Sequence, residues 1–305
     1  MKRLPMMIIG ACLLAAACGT NSAGSLGKAP RLSASASPSG ATPTATDQPP
    51  GSRPTPTAAA TPTATRSQAS EIGLQAWFTR AGKLFVTERT VLQTRGVGQA
   101  ALDRLLAGLS ATESSAGLSS QIPAGTTLLG VSIASGTATV DLSSTFTSAA
   151  GPSTMPLRIA QVVYTMTQFP TVTAVRFAIN GQGVTVIGGV PVQAPQTRAM
   201  YASYLPAITV QAPVVGEQVT SPVTVSGTAD VFEAVVSIRV LDSAGNEIAR
   251  TFTNATCGTG CRGDYSVTIS YTVPRTEPGT IEVFERSAKT GLPINVQLIP
   301  VTLSA

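Results

Sequence analysis

The chain has 305 residues, with 20 basic and 15 acidic side chains and no histidine. Without an imidazole it lacks the usual general base near neutral pH and the commonest metal ligand. Catalytic arrangements of the Ser-His-Asp and Cys-His kinds are therefore excluded. The net charge of +5 becomes +3, with 18 basic against 15 acidic residues, if Lys2 and Arg3 are removed with a signal peptide. This charge is too small to indicate a nucleic-acid-binding protein.

The N-terminus has the organisation of a bacterial lipoprotein signal. A basic start at Lys2 and Arg3 precedes an apolar segment, and small residues lead to Cys18. We predict a signal peptide over 1–17 and acylation of the Cys18 thiol, palmitate included, which would hold the chain on the extracytoplasmic face of the cell membrane. An ordinary secretory signal is the alternative reading. Cys12 is a weaker acylation candidate because too little apolar sequence precedes it.

Residues 18–70 are dominated by Ser, Thr, Pro and Ala and contain no aromatic residue. Such a segment cannot bury enough apolar surface to offset the entropy of ordering it. We predict a disordered tether that separates the folded part of the chain from the membrane. The Thr-Pro repeats could carry sugar, but a solvated tether is the favoured interpretation.

A first folded domain is predicted over 71–190. Two short strands, 73–78 and 83–88, flank the turn dipeptide Ala81-Gly82, and a second hairpin turns at Ser135-Gly136. Apolar residues recur at helical spacing in two segments: Leu102, Leu105, Leu106 and Leu109, and then Ile159, Val162, Val163 and Met166. A strand at 175–179 follows. The predicted order is β-β-α-β-β-α-β, an α+β domain with helices on one face of a sheet.

Residues 182–206 have few long apolar runs and are interpreted as a connection. Residues 207–305 contain strand-like segments separated by turn residues and show no helical periodicity. The residues Tyr265, Val267, Ile269 and Tyr271 alternate as in a strand that is buried on one face. Seven such strands in a segment of this length predict an all-β immunoglobulin-like sandwich. Their centres are 208–210, 223–225, 236–240, 248–252, 265–271, 281–284 and 296–303.

Several spaced motifs carry a family resemblance. The first domain resembles the sporulation and germination domain called GerMN, through residues 82–90, 101–108, 122–126, 138–142, 161–170 and 172–181. The second domain is similar to the immunoglobulin-like domain that accompanies GerMN in germination lipoproteins, through residues 221–227, 232–234 and 282–288. The resemblance implies a non-enzymatic envelope protein of sporulation, germination or wall assembly, with self-association as an option. It supplies no catalytic residues.

Cys257 and Cys261 are the sharpest local feature of the second domain. The sequence between them is Gly-Thr-Gly, which lets the chain fold back so that the two Cα atoms approach within disulfide distance. In an oxidising exterior this spacing predicts a disulfide at the tip of a β-hairpin. A thioredoxin-like pair would have two intervening residues, and two free thiols are the remaining alternative.

Two further triplets in the same region match known patterns. Arg262-Gly263-Asp264 spells an adhesion tripeptide, and Asn254-Ala255-Thr256 matches a glycosylation acceptor. The first is interpreted as an ordinary turn. The second is given no functional role, because bacteria generally lack the corresponding machinery.

Glu282 and Glu285 are the best candidates for a catalytic carboxylate pair, but residues three apart on a strand point to opposite faces. Glu233, Glu285, Arg286 and Ser287 are instead interpreted as a structural hydrogen-bond network. We predict no catalytic, cofactor-binding or metal-binding residues.

The favoured function is a lipid-anchored scaffold or binding module whose partners are envelope proteins or peptidoglycan. A carbohydrate-binding protein that recognises peptidoglycan and a wall-active enzyme are the two alternatives. A sugar-binding sandwich would expose aromatic rings. The single tryptophan, Trp77, lies in the opening strand of the first domain and is expected in its core.

Overall fold

The computed structural model describes residues 70–148, 151 and 153–305. The predicted signal peptide, Cys12, Cys18 and the tether up to residue 69 lie outside these residues. The described residues belong to one compact unit. None of the helices in these ranges has the length and hydrophobicity to cross a bilayer.

The first domain is an α+β structure whose order agrees with the prediction, with one short extra helix and three two-residue strands. The strands are β1 (Glu71–Arg80), β2 (Lys83–Leu92), β3 (Leu128–Ala134), β4 (Thr137–Leu142), β5 (Ala174–Ile179), β6 (Gln182–Gly183), β7 (Val186–Ile187) and β8 (Val190–Pro191). The helices are α1 (Val97–Leu106), α2 (Ala111–Ser115) and α3 (Met155–Met166), and 3₁₀ segments span Ser144–Thr147 and Arg198–Tyr204.

Two tight turns close the predicted hairpins. Ala81 and Gly82 have φ values of 49° and 74°, and Ser135 and Gly136 have values of 47° and 78°. Positive φ at both central residues is what a type I′ turn needs, and this turn matches the twist of the paired strands. Both hairpins are therefore confirmed.

The predicted single sheet with helices on one face is wrong in one respect. Strands β1 and β2 form a sheet of their own, and a second sheet has the order β3-β4-β5-β6. Helix α3 contacts both sheets and is buried almost all round, polar residues included. Gln161 donates to the carbonyl oxygen of Trp77 at 2.9 Å, and the amide of Trp77 donates to Thr165 Oγ1 at 3.1 Å. These hydrogen bonds satisfy the polar side chains that full burial would otherwise leave unpaired.

Strand β3 also departs from simple alternation. A bulge between Leu128 and Gly130 sets Leu128 opposite Leu142, so that Leu129 stays 52% exposed. An extra residue in one strand shifts the alternation of side chains at that point.

The second domain is the predicted β-sandwich. Its strands are β9 (Ile208–Ala212), β10 (Gln218–Val219), β11 (Val223–Ala229), β12 (Val235–Leu241), β13 (Glu247–Asn254), β14 (Gly263–Ile269), β15 (Glu277–Arg286) and β16 (Pro293–Leu303). One sheet has the order β10-β16-β15-β12-β13 and the other the order β14-β11-β9. All seven predicted strands are present, and β10 is an addition. Tyr271 lies just beyond β14, but it is buried as predicted.

Candidate functional site

A cleft of about 420 Å³ lies where the two domains meet. The first domain and the connection contribute Tyr164 and Arg198, and the sandwich contributes Thr228, Asp230 and Arg262. Its volume falls in the range of roughly 300–1,000 Å³ that is common for small-ligand sites. We regard this cleft as the candidate functional site because both domains build it.

Arg198 begins the 3₁₀ segment of the connection and is held in one orientation. Its guanidinium carbon lies 4.8 Å from the ring centre of Tyr164 and 5.5 Å from that of Trp77. Nε donates to Thr167 Oγ1 at 2.7 Å, and Nη2 donates to the carbonyl oxygen of Tyr164 at 2.9 Å. Burial lowers the pKa of Arg198 below its usual value. Sequence analysis did not identify Arg198 as a site residue, because it lies in a segment without periodicity.

Arg262 reaches the cleft from the opposite domain. Nη2 donates to the carbonyl oxygen of Pro206 at 2.6 Å, and Nη1 donates to the carbonyl and hydroxyl oxygens of Thr228, both at 3.2 Å. Burial lowers the pKa of Arg262, and the charge of Asp230 partly opposes this. The adhesion-like triplet is thus part of the domain junction, and its arginine is half-buried.

The aromatic residues of the cleft belong to the core beneath it. Trp77 is 1% exposed and Tyr164 is 2% exposed, which confirms the prediction that Trp77 is a core residue. Burial raises the pKa of the Tyr164 hydroxyl, while the charges of Arg198 and Arg262 oppose the rise. The aromatic faces are covered by Arg198, so the cleft offers guanidinium groups instead of a stacking platform for sugars.

Cys257 and Cys261 are bonded to each other, with their Cα atoms 5.7 Å apart. Cys261 lines the cleft, and the adjacent amide of Gly260 donates to Asp230 Oδ1 at 2.9 Å. The predicted position at a hairpin tip is wrong, because β13 and β14 belong to different sheets. The disulfide therefore lies in a connection that crosses from one sheet of the sandwich to the other.

Glu282 and Glu285 are both buried on β15 and have separate partners. Glu282 accepts hydrogen bonds from Arg239 Nη2 at 2.8 and 3.0 Å. Glu285 accepts from the amide of Phe232 at 3.0 Å and from Asn295 Nδ2 at 2.6 Å. Glu285 therefore makes structural hydrogen bonds, but among the described residues its partners are Phe232 and Asn295 and not the expected Glu233, Arg286 and Ser287.

A larger open groove of about 620 Å³ lies on the five-stranded sheet, beside Arg250, Arg286 and the exposed ring of Phe252. Arg250 is already paired with Glu247 there. The groove is formed by the sandwich alone, so we prefer the cleft as the candidate site. Within the described ranges no group of three or more His, Cys, Asp or Glu residues could hold a metal ion.

Two family models match separate parts of the chain. Residues 73–185 match the family described as sporulation and spore germination, and residues 207–292 match the immunoglobulin-like domain of bacterial spore germination. No curated protein matches the chain.

Solved structures of GerMN domains are among those similar to this chain. The tandem GerMN domains of the sporulation protein GerM from Bacillus subtilis are 15% identical, with a TM-score of 0.38, over 77% of this chain and 61% of that chain. The first GerMN domain of the same protein is 23% identical, with a TM-score of 0.34, over 42% of this chain and 98% of that chain. The chain thus spans 61% of the length of the tandem structure.

Proposed function

Because this chain joins a GerMN sporulation and germination domain to an immunoglobulin-like germination domain, we propose that it is a lipid-anchored, non-catalytic binding module of the bacterial cell envelope. It would act as a scaffold in sporulation, germination or a related step of wall assembly. The observation that carries the proposal is the cleft, since residues of both domains line it. A partner bound there would contact the two domains together.

Polar contacts fix the junction that forms this surface. Arg80 Nη2 donates to Gln297 Oε1 at 2.7 Å, and Lys83 Nζ donates to the carbonyl oxygen of Ser203 at 2.8 Å. Arg262 adds its hydrogen bond to Pro206. Interfaces between domains often permit relative motion, so specific contacts at several points favour a surface of fixed shape. Such a surface suits recognition of a partner.

The buried carboxylates support binding in preference to wall hydrolysis. Glu113 is paired with Arg89 and Glu282 with Arg239, while Glu285 holds the amide of Phe232. A general acid or base must reach the substrate proton, and these groups are engaged inside the fold. We expect purified full-length protein to release no soluble fragments from peptidoglycan. Release that Glu285→Gln abolishes in a protein that remains folded would contradict a non-catalytic role.

The lipid anchor is tested with a matched pair of variants. Cys18→Ala should leave the membrane fraction for the medium or accumulate as an uncleaved precursor, because it removes the thiol that would be acylated. Cys12→Ala should remain membrane-bound and serve as the control. Detergent-requiring membrane association of Cys18→Ala would show that the anchor is not at this residue.

Binding through the junction is tested by cross-linking in cells that express the full-length protein. Arg262→Gln should reduce recovery of a specific cross-linked partner, because it weakens the hydrogen bonding of the sandwich to the connection at Pro206. Arg176→Gln is the control, since Arg176 is exposed on β5 and does not line the cleft. Equal recovery with the wild type and both variants would contradict a composite binding surface.

A further inference from the structure

We propose that the cleft is an oxyanion-binding site, in which Arg198 and Arg262 take a carboxylate or phosphate group of an envelope ligand. The inference deepens the proposed binding function and rests on it. Guanidinium groups bind such anions well because their planar N–H donors match pairs of ligand oxygens.

Neither arginine forms an ion pair in the described part of the chain, although the charge of Asp230 acts on Arg262. The ion pairs there use Arg89, Arg239 and Arg250. Arg198 and Arg262 donate instead to neutral oxygens, those of Thr167, Tyr164, Pro206 and Thr228. Holding a half-buried charge without a directly bonded counter-ion costs free energy. An anion from outside would recover part of that cost, so the site favours anionic ligands.

Arg198 is prepared for a ligand by its own contacts. The contact with the Tyr164 ring and two hydrogen bonds fix the orientation of its guanidinium. Nη1 has no hydrogen-bond partner among residues 70–148, 151 and 153–305. A donor group whose orientation is already fixed loses little conformational entropy when a ligand binds. The same reasoning applies to Nε of Arg262, since its hydrogen bonds are made by Nη1 and Nη2.

Arg198 and Arg262 line the same cleft, so their positive charges act on one ligand-sized space. Each of them opposes the rise that burial causes in the pKa of the Tyr164 hydroxyl. Both guanidiniums therefore contribute positive potential near this residue of the cleft wall. In a partly desolvated cleft such potentials are weakened less by water than they are at an open surface.

Asp230 is the acidic residue that lines the cleft, and it limits the charge of the ligand. Its Oδ1 accepts from the amide of Gly260, and its charge acts on Arg262. Two arginines against one aspartate leave one positive charge in excess. Ala199, Ala202 and Leu205 add an apolar wall. The chemistry therefore fits a singly charged carboxylate or phosphate attached to a small, partly apolar group.

The test is calorimetric titration of the full-length protein, purified in detergent, with sodium acetate and with sodium phosphate at constant ionic strength. At least one probe should bind, and Arg198→Gln and Arg262→Gln should each weaken that binding about tenfold or more, as expected for a charge-assisted hydrogen bond. Arg176→Gln should leave it unchanged. Asp230→Asn should strengthen binding several-fold, because it removes the opposing charge; a purely structural role for the cleft would not produce this gain.

Arg198→Lys tests whether the weaker binding of Arg198→Gln is caused by loss of the fold. It keeps the charge but loses the planar fork, so it should bind more weakly than the wild type and more tightly than Arg198→Gln. Binding of acetate identifies the carboxylate source, and binding of phosphate alone identifies the phosphate source. Equal affinities in all variants, or no binding of either probe, would overturn the oxyanion site. If neither acetate nor phosphate binds while a cross-linked partner is still recovered, the oxyanion site is wrong and the proposed binding function stands.

Discussion

Arg80 donates a hydrogen bond of 2.8 Å from Nη1 to the carbonyl oxygen of Leu298, although the two residues lie in different domains. The Arg80 guanidinium also lies 4.2 Å from the ring centre of Phe85. Strand β10 pairs with β16 only at 302–303, and the amide of Gly216 donates to the carbonyl oxygen of Pro300, so the part of β16 before residue 300 is an edge of the sheet. Unpaired edges can recruit other chains. Arg80 therefore joins the domains and occupies an acceptor on this edge.

Arg80→Ala should lower the free energy of unfolding by about 1–2 kcal/mol, because it leaves a backbone acceptor and a domain contact unsatisfied. Amides near Leu298 should exchange faster with solvent, and the protein should self-associate more readily through the edge. Hydrogen exchange and sedimentation measure the two effects, with Arg176→Ala as control. Unchanged exchange around residue 298 would contradict the proposed role of this contact.

Glu113 combines two structural roles at the start of α2. It forms a capping box with Ser110, in which each side chain accepts from the other residue's amide. It also binds Arg89 bidentately, at 2.5 and 2.6 Å, while its side chain is 3% exposed. Burial alone would raise the pKa of Glu113, but hydrogen bonds from Arg89, Thr87 and the amide of Ser110 lower it to about 2.

Glu113→Gln should therefore change how stability depends on pH. Because the pKa is lower in the folded state, the ionised carboxylate stabilises the fold above its ordinary pKa of 4.5, and this contribution is lost as pH falls toward about 2. This lowering of the Glu113 pKa corresponds to about 3 kcal/mol of folding free energy. Urea unfolding at pH 7 and pH 3 should show a smaller pH dependence for the variant than for the wild type. If the free energy of unfolding changes equally between pH 7 and pH 3 in both proteins, Glu113 is not the source of the pH dependence.

Gly227 lies at a bulge between β11 and β9, where the backbones approach closely. A Cβ atom there would lie 1.9 Å from the carbonyl oxygen of Thr209 and 2.9 Å from Tyr265 Oη. Gly227→Ala should therefore destabilise the sandwich by about 3 kcal/mol, the upper range for overpacking. Gly130→Ala is the matched control, because Gly130 also adjoins a bulge but has no atom within 4 Å of its Cβ position. Chemical denaturation compares the two variants.

The order of elements was predictable because local chemistry specifies it. The dipeptides Ala81-Gly82 and Ser135-Gly136 determine their turns, and the alternation at Tyr265 reports burial of one face. The separation of β1 and β2 from the other sheet was not predictable. This separation depends on the burial of α3 on almost all sides. The polar side chains of α3 do not indicate such burial in the sequence.

The cleft was also beyond sequence reasoning. Arg198 lies in a connection without periodicity, and Arg262 lies in a triplet that suggested only a turn. The two residues meet only in the folded structure. Arg198 belongs to the connection that leads into the sandwich, and Arg262 belongs to the sandwich itself. The spacing of Cys257 and Cys261 indicated a disulfide, but the pairing of β13 and β14 with different partners decides where it lies.

The disulfide holds the loop that leads into the cleft, because Arg262 follows Cys261 directly and Gly260 binds Asp230. Closing so short a loop stabilises the fold by about 2 kcal/mol on the loop-length model, so Cys257→Ser with Cys261→Ser should lower stability by that amount without preventing folding. Mass spectrometry of unreduced protein should find neither thiol alkylated, and both alkylated after dithiothreitol. Reductant should lower the unfolding midpoint of the wild type but not that of the double variant. Alkylation of both thiols before reduction would show that the native protein carries free cysteines at this junction.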